Sequence, residues 1–247
     1  MGRVILRLTW MVLLAQPVSG QDRNWSAKGE LGASVFFGNT SQSAVATGLS
    51  GEVGEGFLEL SGRFGFAYGE ATTTDGLSFV NKRAWDLSAD LNFDPGTSLK
   101  GFLLGKVESV FEKKIDLRYN AGGGAKYQLG TGDRQVEWSV ALIAEKTIPR
   151  SETGVDADVV AKWSAGFRFV QGGSESKLRF ESDTSYEPVV SQPSVFTLTS
   201  RHSLSFQLSQ RIGIQLSFVD SFDSKAEDRG ARSNNDGQLF FGVVSTF

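Results

Sequence analysis

Cysteine is absent from this sequence of 247 residues, histidine occurs once, and proline occurs five times. Without cysteine there is no disulfide framework and no thiolate metal site, and a single imidazole makes no zinc centre. No segment reaches the ~18 consecutive apolar residues that a membrane-crossing helix needs. A net charge of −3 gives none of the broad basic field that nucleic acid requires of a partner. No cofactor is expected either. Gly122-Gly123-Gly124, the densest glycine run, is followed by neither a helix nor a Lys-Ser/Thr pair, so it is no phosphate loop. What is abundant is glycine, 29 residues, and phenylalanine, 19, a balance suited to short strands and turns.

The first 20 residues read as an address. Arg3 and Arg7 lead a short apolar run from Leu8 to Ala15, Pro17 breaks it, and Val18-Ser19-Gly20 supplies small residues for cleavage. Residues 1–20 are therefore expected to be a signal peptide and residues 21–247 one domain.

Across that domain the side chains alternate with a period of two, the mark of strands. About twelve such segments follow one another, at roughly 25–37, 43–53, 57–68, 82–93, 99–110, 117–129, 135–146, 157–170, 176–186, 196–208, 212–222 and 234–247. In the seventh, Val136, Trp138, Val140 and Leu142 oppose Glu137 and Ser139. In the eighth, Trp163, Phe167 and Phe169 oppose Lys162 and Arg168. The fifth resists the pattern, because Phe102 and Leu104 share a parity with Lys100, Lys106 and Glu108. Alternate connections are tight turns, among them Gly54-Glu55-Gly56, Asp94-Pro95-Gly96 and Thr131-Gly132-Asp133, and most of the others are longer. Segment 111–116 reads as a charged connection, and Pro188 and Pro193 as parts of a loop. An up-and-down barrel puts all its tight turns at one end, whereas a Greek-key sandwich has no reason to do so.

The last segment alternates up to the terminal Phe247, with Leu239, Phe241, Val243 and Phe247 on one parity. An unpaired apolar edge is an aggregation hazard that closure removes. The expected fold is therefore all-β: a transmembrane up-and-down antiparallel barrel of about 12 strands in the bacterial outer membrane. One parity collects Lys28, Glu30, Glu59, Arg63, Lys82, Asp86, Asp90, Arg118, Lys126, Glu137, Lys162, Arg168, Arg179, Glu181 and Arg201. A Lys or Arg facing lipid costs ~2–4 kcal/mol at the midplane, so this parity is expected to line the lumen as a lattice of paired charges.

Glu30-Leu31-Gly32 with Gly38-Asn39-Thr40, Gly105 through Glu108 leading to Arg118 and Gly122-Gly123-Gly124, and Asp236 with Phe247 give the chain a further character. In that order and spacing they resemble the salt-induced outer-membrane proteins, YdiY-like, a domain of unknown function. Glu112-Lys113-Lys114 and Phe36-Phe37 depart from the family pattern. The resemblance implies an outer-membrane barrel and supplies no activity. Gly242 and Phe247 match a C-terminal signal read by the outer-membrane assembly machinery, while Phe240 stands where a polar residue is usual.

Function is expected to be non-enzymatic: a small-solute pore or binding barrel, or a structural protein of the stressed envelope, with lipid, the assembly machinery and small polar solutes as partners. The alternative is a lipid-modifying barrel enzyme centred on His202, whose parity matches Leu204 and Phe206 and whose near hydroxyls in sequence are Ser200 and Ser203. Interspersed Lys and Arg offer the lumen acids salt-bridge partners rather than metal, and no catalytic, cofactor or metal residues are assigned.

Overall fold

A computed structural model describes residues 25–37, 42–72, 78–130, 133–150, 158–172 and 177–247. The 20-residue leader and the Gly38-Asn39-Thr40 turn lie outside these residues. Twelve strands form one closed antiparallel barrel in which each pairs with its neighbours in sequence and β1 pairs with β12. The strands are β1 (Trp25–Phe37), β2 (Gln42–Glu55), β3 (Leu58–Thr72), β4 (Ser78–Phe93), β5 (Leu99–Val110) and β6 (Ile115–Leu129). They continue as β7 (Arg134–Pro149), β8 (Val159–Gln171), β9 (Leu178–Val189), β10 (Gln192–Gln207), β11 (Ile212–Asp223) and β12 (Asn235–Thr246). Among the described residues no helix is long and apolar enough to cross a membrane. The strands supply the outward apolar surface.

That surface follows the alternation. Leu31, Val35, Val45, Leu49, Leu87, Val140, Leu142, Trp163, Leu216 and Phe241 are all exposed on the outside. Solvent-facing apolar side chains in such number are stable only against acyl chains, and the buried side chains lie in the lumen instead. On β5 the even residues point inward. Phe102 and Leu104 pack on Ala141 and Ile143 of β7 inside the barrel, while Leu99 and Leu103 face out. A second inward cluster joins Phe36, Ala44, Ala46, Ala67 and Phe240 around the β1–β12 seam. This lumen is therefore partly filled by apolar side chains.

Closure depends on glycine at two places. Gly32 and Gly242 face each other across the seam, where a Cβ on Gly32 would stand 2.6 Å from the Gly242 Cα and 2.9 Å from the Phe240 ring. On β6, a Cβ on Gly122 or Gly124 would run into the β7 backbone, 2.9 Å from the Ile143 Cα and 2.7 Å from the Ala141 Cα respectively. The glycines let adjacent strands approach this closely.

The start of β1, the end of β12 and the ends of β2, β4, β6, β8 and β10 share one end, here the terminal end. At the opposite, distal end the connections are unequal. β9 and β10 are joined by Val190 and Ser191 alone, and Pro188 and Pro193 belong to the strands, not to a loop. A register shift between Gln192 and Phe196 accommodates Pro193, which cannot donate to the ladder.

Candidate functional site

The inward face divides into two layers. From the terminal end a cavity of about 1150 Å³ runs up to Asp86, Lys106 and Ser217. It is lined by twelve of the fifteen charged residues named above; Lys82, Arg118 and Lys162 lie beyond it, buried. Some of its charges pair: Lys28 with Glu30 at 2.8 Å, and Arg168 and Arg179 with Glu181 at 2.6 and 3.7 Å. Glu59 accepts from Asn92 at 2.8 Å, and the Lys126 ammonium sits 4.5 Å from the centre of the Phe102 ring. Arg63, Asp86, Asp90, Glu137 and Arg201 make no ion pair among the described residues.

The two signs occupy different walls. On β1 to β4 the cavity meets Glu30, Glu52, Glu59, Asp86 and Asp90 against Lys28 and Arg63. From β5 to β11 it meets Lys100, Lys106, Lys126, Arg168, Lys177, Arg179, Arg201 and Arg211 against Glu137, Glu181 and Asp183. A solute inside lies in a transverse field between an acidic arc and a basic arc.

The distal layer is buried and cross-linked by its charges. Arg118 on β6 reaches Glu108 at 3.1 Å, the Thr147 hydroxyl at 3.0 Å, and Asp223 on β11, across the lumen, at 2.6 Å. Glu145 lies 3.8 Å from Arg118 and 2.7 Å from Lys162. Arg229 also donates to Asp223 at 2.6 Å.

Into this layer folds the β5–β6 turn, Phe111 to Lys114. Glu112 pairs with Lys82, and both are buried. Lys113 crosses to the far wall, donating to the Ser221 carbonyl at 3.0 Å and hydroxyl at 2.9 Å, with Asp236 at 3.9 Å. Its own carbonyl accepts from Arg229 at 3.3 Å. Burial holds the Lys113 amine below the usual lysine range, against the pull of Asp236 and Asp223. Outside, the Phe111 ring has Arg150, Lys114 and Arg83 within 5.2–5.8 Å of its centre. The turn thus spans the lumen from β5–β6 to the opposite wall.

Sequence reasoning left Glu108, Glu112, Lys113, Glu145, Asp223, Arg229 and Asp236 out of the lumen set. The signals available were parity, which puts Glu108 with Lys106 and Glu145 with Glu137, and three consecutive charges, Glu112-Lys113-Lys114, in the charged connection 111–116.

A family profile described as "Protein of unknown function, DUF481" matches residues 29–247. The chain belongs to that family. Among solved structures the DUF481 barrel is similar to the NanC porin, with 9% identity over 89% of this chain and 98% of that one and a TM-score of 0.53. It is also similar to the translocator domain of the autotransporter NalP from Neisseria meningitidis, with 12% identity over 93% of this chain and 90% of that one and a TM-score of 0.50. Likeness at such identity shows the fold alone: an outer-membrane β-barrel. No curated protein matches the sequence.

Two further positions have defined surroundings in the DUF481 barrel. His202 lies on the outward face with its Nδ1 3.0 Å from the Ser182 hydroxyl on β9; neither Ser200 nor Ser203 is its partner. Phe247 is half-exposed at the seam, where its N–H donates to the Ala27 carbonyl at 2.9 Å. Among the described residues no group of His, Asp and Glu is arranged to hold a metal ion.

Proposed function

We propose that this barrel sits in the bacterial outer membrane with its terminal end toward the periplasm, and that it binds and passes a small polar solute through its lumen. The observation that carries the reading is the difference between the two lumen layers: a roomy vestibule with unpaired charges of both signs, closed on one side by a latch made of a single short turn. Unpaired charges facing a cavity are ready to pair with a solute, whereas a purely structural barrel has no use for them. The resemblance to salt-induced proteins adds osmotic stress as the setting in which such passage would matter.

Single-channel recording in planar bilayers tests this. The parent protein is expected to be closed most of the time, and the double variant Glu112→Gln, Lys113→Gln to open several times more often. If both forms stay silent and neither binds small charged solutes, the barrel only supports the envelope. Phospholipid hydrolysis by a silent barrel, abolished when His202 is replaced, would instead mark the enzymatic alternative.

The same reading includes targeting and assembly. Residues 1–20 would direct export and be removed. Gly242 and Phe247 would carry the signal for the assembly machinery, in addition to their contacts at the seam. Deleting Phe247 should lower the yield of assembled barrel in cells more than it lowers urea resistance of barrel refolded in detergent. Equal yields from deletion and parent would remove the signal from the proposal.

A further inference from the structure

Among the described residues, a polar block stands on three adjacent strands of the outward face. On the other strands the outward positions at mid-strand are apolar apart from Thr47, whose hydroxyl donates to the Glu30 carbonyl at 3.0 Å, and the charged outward residues Arg83 and Lys146 stand singly toward the distal ends of β4 and β7. On β9, β10 and β11 two adjacent cross-strand rows break the pattern: Ser182, His202 and Phe218, then Thr184, Ser200 and Asp220. They lie in the apolar band, with Leu204, Phe206 and Leu216 toward the terminal end and the Tyr186, Phe196 and Phe222 rings toward the distal end.

Within one chain the two rows are incompletely satisfied. Thr184 and Ser200 share a hydrogen bond of 2.8 Å. The Ser182 hydroxyl, which has a proton to give, lies 3.0 Å from His202 Nδ1, and the imidazole stacks on Phe218 at 6.5 Å and 6°. With the hydroxyl donating to Nδ1, the imidazole carries its proton on Nε2. Nε2–H is then a donor without an acceptor among the described residues. One row away, the Asp220 carboxylate accepts from nothing among the described residues. Acyl chains offer neither partner, and ionisable groups facing hydrocarbon are retained where something pairs with them.

We propose that this block is where a second copy of the chain docks within the membrane, the Asp220 carboxylate of each protomer accepting from Nε2–H of the partner's His202. The donor and the acceptor stand on neighbouring strands, so a twofold axis running between β10 and β11 turns one unmet donor and one unmet acceptor into two reciprocal bonds. Only an isologous contact does this and closes. The hydroxyls beside them suit the polar contacts that join membrane-embedded surfaces. The Phe37 ring, stacked on Phe218 at 6.1 Å, extends the block with an apolar margin. This inference rests on the outward face and is independent of what the lumen carries.

The absence of native cysteine makes the test direct. Single-cysteine variants Ser200→Cys, inside the block, and Trp163→Cys, on the outward face of β8, are refolded into phosphatidylcholine–phosphatidylglycerol vesicles and mildly oxidised. Gel mobility without heating confirms that each is a folded barrel. Ser200→Cys should give a covalent dimer and Trp163→Cys should not. In parallel, Asp220→His and His202→Asp should each weaken dimerisation about tenfold or more, and the double swap should restore it, because the reciprocal pairs are then rebuilt with the groups exchanged. Equal cross-linking at both positions, single swaps without effect, or folded monomer throughout would each overturn the proposal. A folded monomer that cleaves lipid esters in a Ser182- and His202-dependent manner would overturn it in favour of a hydrolytic site.

Discussion

The two halves of the lumen are built from the same residue types and behave as different materials. Toward the distal end, Arg118, Glu108, Glu145, Lys162, Asp223 and Arg229 are held by one another at 2.6–3.8 Å. Toward the terminal end, Arg63, Asp86, Asp90, Glu137 and Arg201 face the cavity without an ion pair among the described residues. Burial decides which role a charge takes. Where water is excluded, every charge needs a partner, and removing one leaves others stranded. Where water remains, a charge stands alone at little cost and is free to meet a solute.

The widest test of that contrast is to delete one arginine from each half. Arg118→Met removes the cation that Glu108, Glu145 and Asp223 share, leaving each with one partner, Lys106, Lys162 and Arg229 respectively, and should lower the unfolding free energy by about 3 kcal/mol, the low end of what breaking a buried ionic network costs. Arg201→Met should change it by less than about 1 kcal/mol, because the side chain it removes lines the cavity and makes no ion pair among the described residues. Urea titration of refolded barrel in detergent reads both. Similar losses would mean that the halves differ in appearance only.

A second test concerns selectivity and leaves stability nearly untouched. Arg201→Glu with Arg211→Glu converts part of the basic arc to acid. In bilayers bathed by asymmetric salt, the reversal potential should move toward the cation value, changing the permeability ratio several-fold. The parent should select weakly, since the acidic and basic arcs oppose each other. An unchanged reversal potential would place the solute path away from that wall.

Much of this was legible in the sequence, and the limits have physical causes. Alternation in segments such as 135–146 specifies strand and facing together, because a slip of one residue would turn Glu137 into lipid. The fifth strand was ambiguous because inward Phe102 and Leu104 answer to Ala141 and Ile143, about forty positions away, which no local pattern reveals. Pro188 and Pro193 read as loop residues locally, yet pairing with the flanking strands carries the ladder past them. Glu112-Lys113-Lys114 was visible as a charged connection. Its inward course was not, since Lys113 is held by Ser221, 108 residues on. His202 met the same limit, its hydroxyl partner Ser182 lying 20 residues back on β9.

The smallest expected effect is a pH dependence of the latch, and its sign is set by the burial of Lys113. In the closed turn the amine lies below the usual lysine range because desolvation outweighs the attraction of Asp236 and Asp223. In an open turn exposed to water it would return toward the ordinary value of ~10.4. The open state therefore binds protons more readily than the closed one. Linkage then makes opening less favourable as pH rises between the two values. The burial penalty is fully present below the closed-state pKa and is relieved above it. Open probability in bilayers should accordingly fall as the pH is raised through the alkaline range toward the ordinary lysine value. Lys113→Gln, which has no proton to exchange, should flatten that part of the profile. A profile unchanged in Lys113→Gln would assign the titration to another group in the distal layer and leave the latch without its sensor.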